Sequence, residues 1–252
     1  MSGSESRKAA EYHVEFDSAT LRRQYRRAPW IANPVGVLMN LFGRIRAEDT
    51  EKIPAAGPAI IVPYHSSYLD PLVVGLVVWR TGRLPHYLAK SSLFSGVVGR
   101  ALRGIGQIPV LRSSAQAGDS LRYAEEALAA GEIVVIYPQG TLTKDPEMWP
   151  ESSKTGAARL ALRTGVPLIP ITHWGLHTPM PVGAKVPKPA PRTRIRVLVG
   201  DPIDYQDLAD GRDGIARLTE RITAHIALDV SRLRGEPMPE RFQADLGPGA
   251  AV

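Results

Sequence analysis

In the stretch IVPYHSSYLDPL, residues 61–72, a histidine and an aspartate stand five apart, where an apolar run stops and helix-forming sequence begins. An imidazole exchanges protons near neutral pH. A carboxylate bonded to one ring nitrogen fixes the other as the base and stabilises the imidazolium that forms. On a continuous helix, neighbours are three or four apart, so His65 and Asp70 meet only if His65 precedes the helix and Asp70 reaches back from its first turns. The same residues also fit an ordinary turn in which Ser66 or Ser67 caps the helix and Asp70 caps a second turn before Pro71.

Other side chains have the chemistry of an anion or polar-substrate site. GIGQIPVLRSS, residues 104–114, has glycines for tight turns, an apolar run and then Arg112, whose guanidinium holds phosphate in a bidentate fork. VVIYPQGTLTKD, residues 134–145, runs a strand pattern into Pro138, Gln139, Gly140 and Thr141, and Gly140 permits a turn that exposes backbone N–H groups. Lys154 opens a helical pattern, a place where a cation is not favoured, and Lys90 ends HYLAK. Alone, Arg112, Lys90 and Lys154 also read as solvated surface residues, and the stretch 134–145 as a strand followed by an ordinary turn.

Strand-like apolar runs at 59–64, 86–90, 106–111, 132–138, 167–173 and 194–200 alternate with helical patterns. The helices fall at about 70–80, 91–103, 115–130, 152–164 and 213–234. This alternation predicts an α/β fold, a central mostly parallel sheet flanked by helices. Ligands of such open sheets bind outside the carboxyl ends of the strands, where every motif above falls. His173 and His177 flank WGL at an i, i+4 spacing, but follow a strand and are expected in a loop. No set of ligand-type residues has metal spacing on one element, so no metal is expected.

The 252-residue chain contains no cysteine, which excludes disulfides, zinc-thiolate sites and a thiol nucleophile. Its formal charge of +6 implies an anionic partner. No run reaches the roughly 20 apolar residues of a membrane span, and the polar start has no secretory core. Asp17 or Ser18 is placed to cap a short helix bearing Arg22, Arg23, Arg26 and Arg27. The next segment, Trp30 to Ile45, is uncharged until Arg44 and is expected to expose Trp30, Ile31, Val35, Leu38, Leu41, Phe42 and Ile45. Arginines beside an apolar aromatic segment predict peripheral contact with an anionic membrane through residues 18–45; a hairpin packed on its own domain is the other reading. The basic residues match no nucleic-acid module, and no nucleic-acid partner is expected. Three regions follow: a tail and helical anchor at 1–48, an α/β domain at 49–235 and a flexible tail at 236–252.

Taken in order, the blocks resemble the glycerolipid acyltransferase family with its H-x4-D motif. HSSYLD matches that motif, GQIPVLR the glycine-led strand ending in arginine, PQGTLT the P-E-G-T-R segment, and VPLIPI the apolar proline-containing strand. The resemblance runs from about Ile53 to Gly175 and reverses the reading of the opening pair in favour of catalysis. It implies that His65, oriented by Asp70, deprotonates the free hydroxyl of 1-acylglycerol-3-phosphate. That oxygen then attacks the thioester of acyl-CoA or acyl-carrier protein, with no acyl-enzyme and no cofactor beyond this co-substrate. It implies that Arg112, Gln139, Gly140 and Thr141 bind the glycerol phosphate, on the cytoplasmic side of the cell membrane. Two positions depart from the pattern: Gln139 replaces glutamate and loses its charge, and Leu142 replaces arginine. Lys90, Arg112 and Lys154 are then expected to supply the positive field. Otherwise the acceptor is another lysophospholipid or glycolipid, or the chain binds lipid without turnover.

Overall fold

The computed structural model describes residues 14–110 and 117–247. Seven strands form one sheet: β1 Arg44–Glu48, β2 Ala59–Pro63, β3 Pro85–Lys90, β4 Ile108–Val110, β5 Ile133–Val135, β6 Leu168–Trp174 and β7 Arg194–Val199. Their spatial order is β1-β7-β6-β2-β5-β3-β4. All neighbours pair in parallel except β6 and β7. The helices are α1 Ser18–Arg27, α2 Pro29–Met39, α3 Asp70–Arg80, α4 Gly96–Gly104, α5 Ala117–Ala129, α6 Gly156–Thr164, α7 Arg212–Arg234 and the short α8 Glu240–Gln243.

The central strands are apolar on both faces because both faces are covered. In β2, Ile60 and Val62 join a core with residues of α5, α6 and α7, while Ala59 and Ile61 join a second core with Met39 of α2 and Val73, Val74 and Val77 of α3. Consecutive residues serve opposite cores, the period-2 rule of a pleated strand. After β2 the chain builds β3 and β4 on one side, returns through β5, then crosses to β6 on the other side of β2. That reversal opens the crevice at the carboxyl end of β2, where open sheets of this type hold ligands.

Asp17 caps α1, accepting from the N–H groups of Ala19 and Thr20 at 2.8 and 3.1 Å. Tyr25 of α1 donates to buried Glu132 at 2.9 Å and accepts from the N–H of Leu84 at 3.2 Å, which fastens this helix to the sheet. Of the apolar residues expected to be exposed, Trp30, Leu38 and Leu41 are, with Trp30 at 84%, and Val37 joins them at 71%. Val35, Phe42 and Ile45 instead pack against the core beneath α2 and α3.

The outer regions differ from their expected roles. Arg44–Glu48, grouped with the anchor by sequence, pairs in register with Arg194–Leu198 as the edge strand β1. Its burial is one-sided and slight, so no apolar alternation marks it. In the stretch expected as a flexible tail, Met238, Phe242 and Leu246 are buried in the core with α7. Among the described residues, no helix is long and apolar enough to cross a membrane.

Candidate active site

His65 follows β2 directly, and its surroundings fix it before its ring makes any contact. The preceding N–H, of Tyr64, bonds to Ile171 O of β6 at 2.9 Å. The N–H of His65 donates to Gln139 Oε1 at 3.1 Å, and its carbonyl accepts from the N–H of Thr143 at 2.8 Å. Both backbone groups of His65 are thus tied to the loop after β5. The imidazole lies on the Tyr137 ring, centroids 4.3 Å apart.

Asp70 is the first residue of α3, Leu69 stands at its N-cap, and no side chain caps the helix. The capping alternative is therefore not what forms. The Asp70 carboxylate turns back over the loop: Oδ2 accepts from the N–H groups of Ser66 and Ser67 at 3.0 and 3.1 Å, and both oxygens lie 3.0–3.1 Å from His65 Nδ1. Burial alone would raise this carboxyl. Hydrogen bonds from His173 and His65, with the electrostatic attraction of the two rings, outweigh it and hold the group down, to about 2. With Nδ1 facing Asp70, Nε2 is the nitrogen available as base. Ser66 and Ser67 are buried, at 2% and 0% exposure, and neither is placed to attack a substrate.

His65 lines a cavity of about 1360 Å³ whose wall is mainly apolar, with Leu72, Leu76 and Leu102 among the lining side chains. Ile31, Ala32 and Val35 of α2 line it as well, so the N-terminal helices form part of its enclosure. Of the residues picked out in the sequence, Lys90, Gly140 and Lys154 line this cavity together with His65. Gln139 is buried behind the loop with its Oε1 on His65 N–H and its Nε2 without a partner. Thr141 is exposed and not part of the lining, and Arg112 lies outside the described residues.

Lys154 does not open a helix as expected. It precedes α6 by two residues, and its N–H donates to Pro138 O at 2.7 Å. Its ammonium sits over Gly140, 3.0 Å from where a Cβ would be. Thr155 and Gly156 also line the cavity, so the N-terminus of α6 opens toward it beside Lys154. Leu142 is buried and places no cation there.

Three residues at the site were missed by sequence reasoning. Arg159, in the first turn of α6, lines the cavity with its Nε 3.3 Å from the Thr155 hydroxyl. Tyr137 supports His65, and its i+2 position before Gln139 was the only signal for it. His173 was expected in a loop but lies within β6, fully buried, with Nε2 3.3 Å from Asp70 Oδ2. His173 stays in the strand, which runs on to Trp174, because Thr172, His173 and Trp174 pair with Leu198, Val197 and Arg196 of β7.

Residues 44–174 match the sequence profile of the Acyltransferase family. The chain is 28% identical over 201 residues to the 1-acyl-sn-glycerol-3-phosphate acyltransferase of Bacillus subtilis, covering 77% of this chain and 92% of that one. It is 31% identical over 147 residues to a chloroplastic enzyme of that name from Arabidopsis thaliana, covering 57% of this chain and 40% of that one. The crystal structure of the 1-acyl-sn-glycerophosphate acyltransferase of Thermotoga maritima superposes with a TM-score of 0.64 at 21% identity, covering 84% of this chain and 83% of that one, a likeness of fold. With its H-x4-D pair at the carboxyl end of β2 and a family match over more than half its length, the chain belongs to the acyltransferase family, and it is an acyltransferase.

Proposed function

We propose that this acyltransferase moves a fatty acyl group from acyl-CoA or acyl-carrier protein to the free hydroxyl of 1-acylglycerol-3-phosphate, giving phosphatidic acid. The observation that carries this reading is the His65–Asp70 pair on the wall of a large, mainly apolar cavity that also holds Lys90, Lys154 and Arg159. Relatives named for that reaction support it.

His65 Nε2 takes the proton of the acceptor hydroxyl as its oxygen bonds to the thioester carbonyl carbon. Asp70, at Nδ1, stabilises the imidazolium. When the tetrahedral intermediate collapses, the carbon–sulfur bond breaks and the thiolate takes the proton back from His65. No protein nucleophile is consumed, in keeping with the burial of Ser66 and Ser67. The apolar wall suits acyl chains, and Lys90, Lys154, Arg159 and the N-terminus of α6 suit the phosphate.

A thiol-release assay with palmitoyl-CoA and lysophosphatidate is expected to show turnover that His65→Ala lowers by at least about 10³-fold, the scale of losing a general base. Equal turnover in the variant refutes the reading. The buried Leu142, where the family pattern carries arginine, favours testing a second acceptor class. A panel of lysophospholipid and glycolipid acceptors with labelled acyl-CoA separates the two, and a run with acyl-carrier protein ranks the donors. Lys154→Ala is expected to raise the KM for lysophosphatidate about tenfold, one charge-assisted contact; an unchanged value removes Lys154 from the phosphate site.

The same proposal places the protein peripherally on an anionic membrane. Arg22, Arg23, Arg26 and Arg27 are exposed on α1, beside the exposed Trp30, Val37, Leu38 and Leu41. Co-sedimentation with anionic vesicles, absent with neutral ones, is the expected result.

A further inference from the structure

The carboxylate that orients His65 touches a second histidine. His173 Nε2 lies 3.3 Å from Asp70 Oδ2 and 3.2 Å from the carbonyl oxygen of Tyr64. Both are acceptors, so Nε2 carries a hydrogen and shares it between them. Nδ1 is buried with no hydrogen-bond partner, and a second hydrogen there would be an unsatisfied buried donor. The ring is therefore in its Nε2–H tautomer. It does not line the cavity, so it reaches the substrate only through Asp70.

Every element packed around Asp70 contributes a group. The loop after β2 gives His65 and the N–H groups of Ser66 and Ser67; β6 gives His173; Tyr137 and Tyr87 face it from the β5 loop and β3. His173 itself has Tyr64 beside it, ring centroids 5.5 Å apart, and His177 within electrostatic reach. Among these groups His173 is the one side chain that donates to Asp70 without meeting the cavity.

We propose that His173 is a positioning residue: its Nε2–H draws charge from Asp70 Oδ2, so that the carboxylate orients His65 without over-stabilising the imidazolium. This rests on the reading of His65 as the base. Without His173, more of the Asp70 charge falls on His65, which then holds its proton to higher pH. This second imidazole donor thus trades a little base strength for a larger fraction of proton-free base at neutral pH.

His173→Phe keeps a ring and loses the donor; His173→Gln returns an N–H to the Nε2 position. Two measurements are made on both variants and the parent. One is the rate at which diethyl pyrocarbonate modifies His65, followed by mass spectrometry across pH. The other is the pH profile of kcat/KM for thiol release. In His173→Phe, modification of His65 at pH 6 is expected to slow about three- to tenfold, and the acid limb to move up by about half to one pH unit, tenfold being one unit. His173→Gln is expected to match the parent in both. A folded His173→Phe with neither readout moved overturns the proposal, as does an equal shift in His173→Gln. If His173→Phe does not fold, the ¹⁵N shifts of the parent protein decide: an Nδ1–H tautomer for His173 overturns it and Nε2–H supports it. The modification arm needs no substrate, so absence of turnover counts against the proposed reaction and not against the role of His173.

Discussion

Asp70 and Asp229 are equally hidden from water, at 0% and 2% exposure, and each lies on a helix that packs against the sheet. Their carboxyls are pushed in opposite directions. Asp70 sits in the first turn of α3, where the helix dipole favours an anion, and takes hydrogen bonds from two backbone N–H groups and two histidines. Asp229 lies five residues before the end of α7; its Oδ2 has no partner, and Arg232 stands 3.6 Å from Oδ1. Burial pushes Asp229 up to about 7, with Arg232 only partly opposing it. Depth does not decide whether a buried carboxylate keeps its charge; the donors aimed at it do. The protein supplies those donors at Asp70, where an imidazole needs orienting, and not at Asp229.

The contrast can be broken most directly at Asp70. Asp70→Asn keeps the shape but places an amide against His65 Nδ1, and the wrong tautomer costs about 10⁴-fold in comparable sites. A loss of at least 10³-fold in kcat is expected on that scale; an active Asp70→Asn protein would mean that the carboxylate charge is irrelevant. At Asp229 the expected effect is on stability. Its folded-state value lies above the unfolded one, so the stability it permits is fully present below about pH 4 and lost as pH rises to about 7. Asp229→Asn is therefore expected to gain about 1–3 kcal/mol at pH 8 in urea unfolding and nothing at pH 4. An equal gain at both pH values would separate the effect from ionisation.

Acid unfolding sharpens the same contrast. The Asp70 carboxyl is held below its unfolded value, so its contribution is present above about pH 4 and lost as pH falls toward 2. The parent is expected to lose about 2 kcal/mol over that window that Asp70→Asn does not lose. The smallest effect belongs to catalysis by Asp229→Asn, expected to stay within about twofold of the parent because Asp229 does not line the cavity that holds His65. A large drop would tie α7 to the reaction.

The sheet and its helices were legible because the local signals agree: β2 and β5 are continuous apolar runs, and α3 begins at Asp70-Pro71, a sound helix start. The His65–Asp70 pair was legible because its partners are five residues apart. What was not legible depends on distance along the chain. His173 meets Asp70 across 103 residues, and only the pairing order of β2 and β6 brings them together. Strand β1, RIRAE, carries charge on a mostly exposed edge and shows no alternation to read. Phe242 resembles tail sequence until α7 supplies the face that it covers. Lys154 was found for its charge but misplaced by two residues, because the N–H of Lys154 bonds back to Pro138 before the helix begins.

Gly140 has a φ of +68°, and a methyl group there would stand 3.0 Å from the Lys154 ammonium. A side chain at 140 would strain the turn and crowd that lysine, whose end would have to shift. The two positions are therefore mutationally coupled: an alanine at 140 would register in a deep mutational scan as a disturbance of a cation fourteen residues further along the chain. A residue with no functional group of its own would score as if it had one.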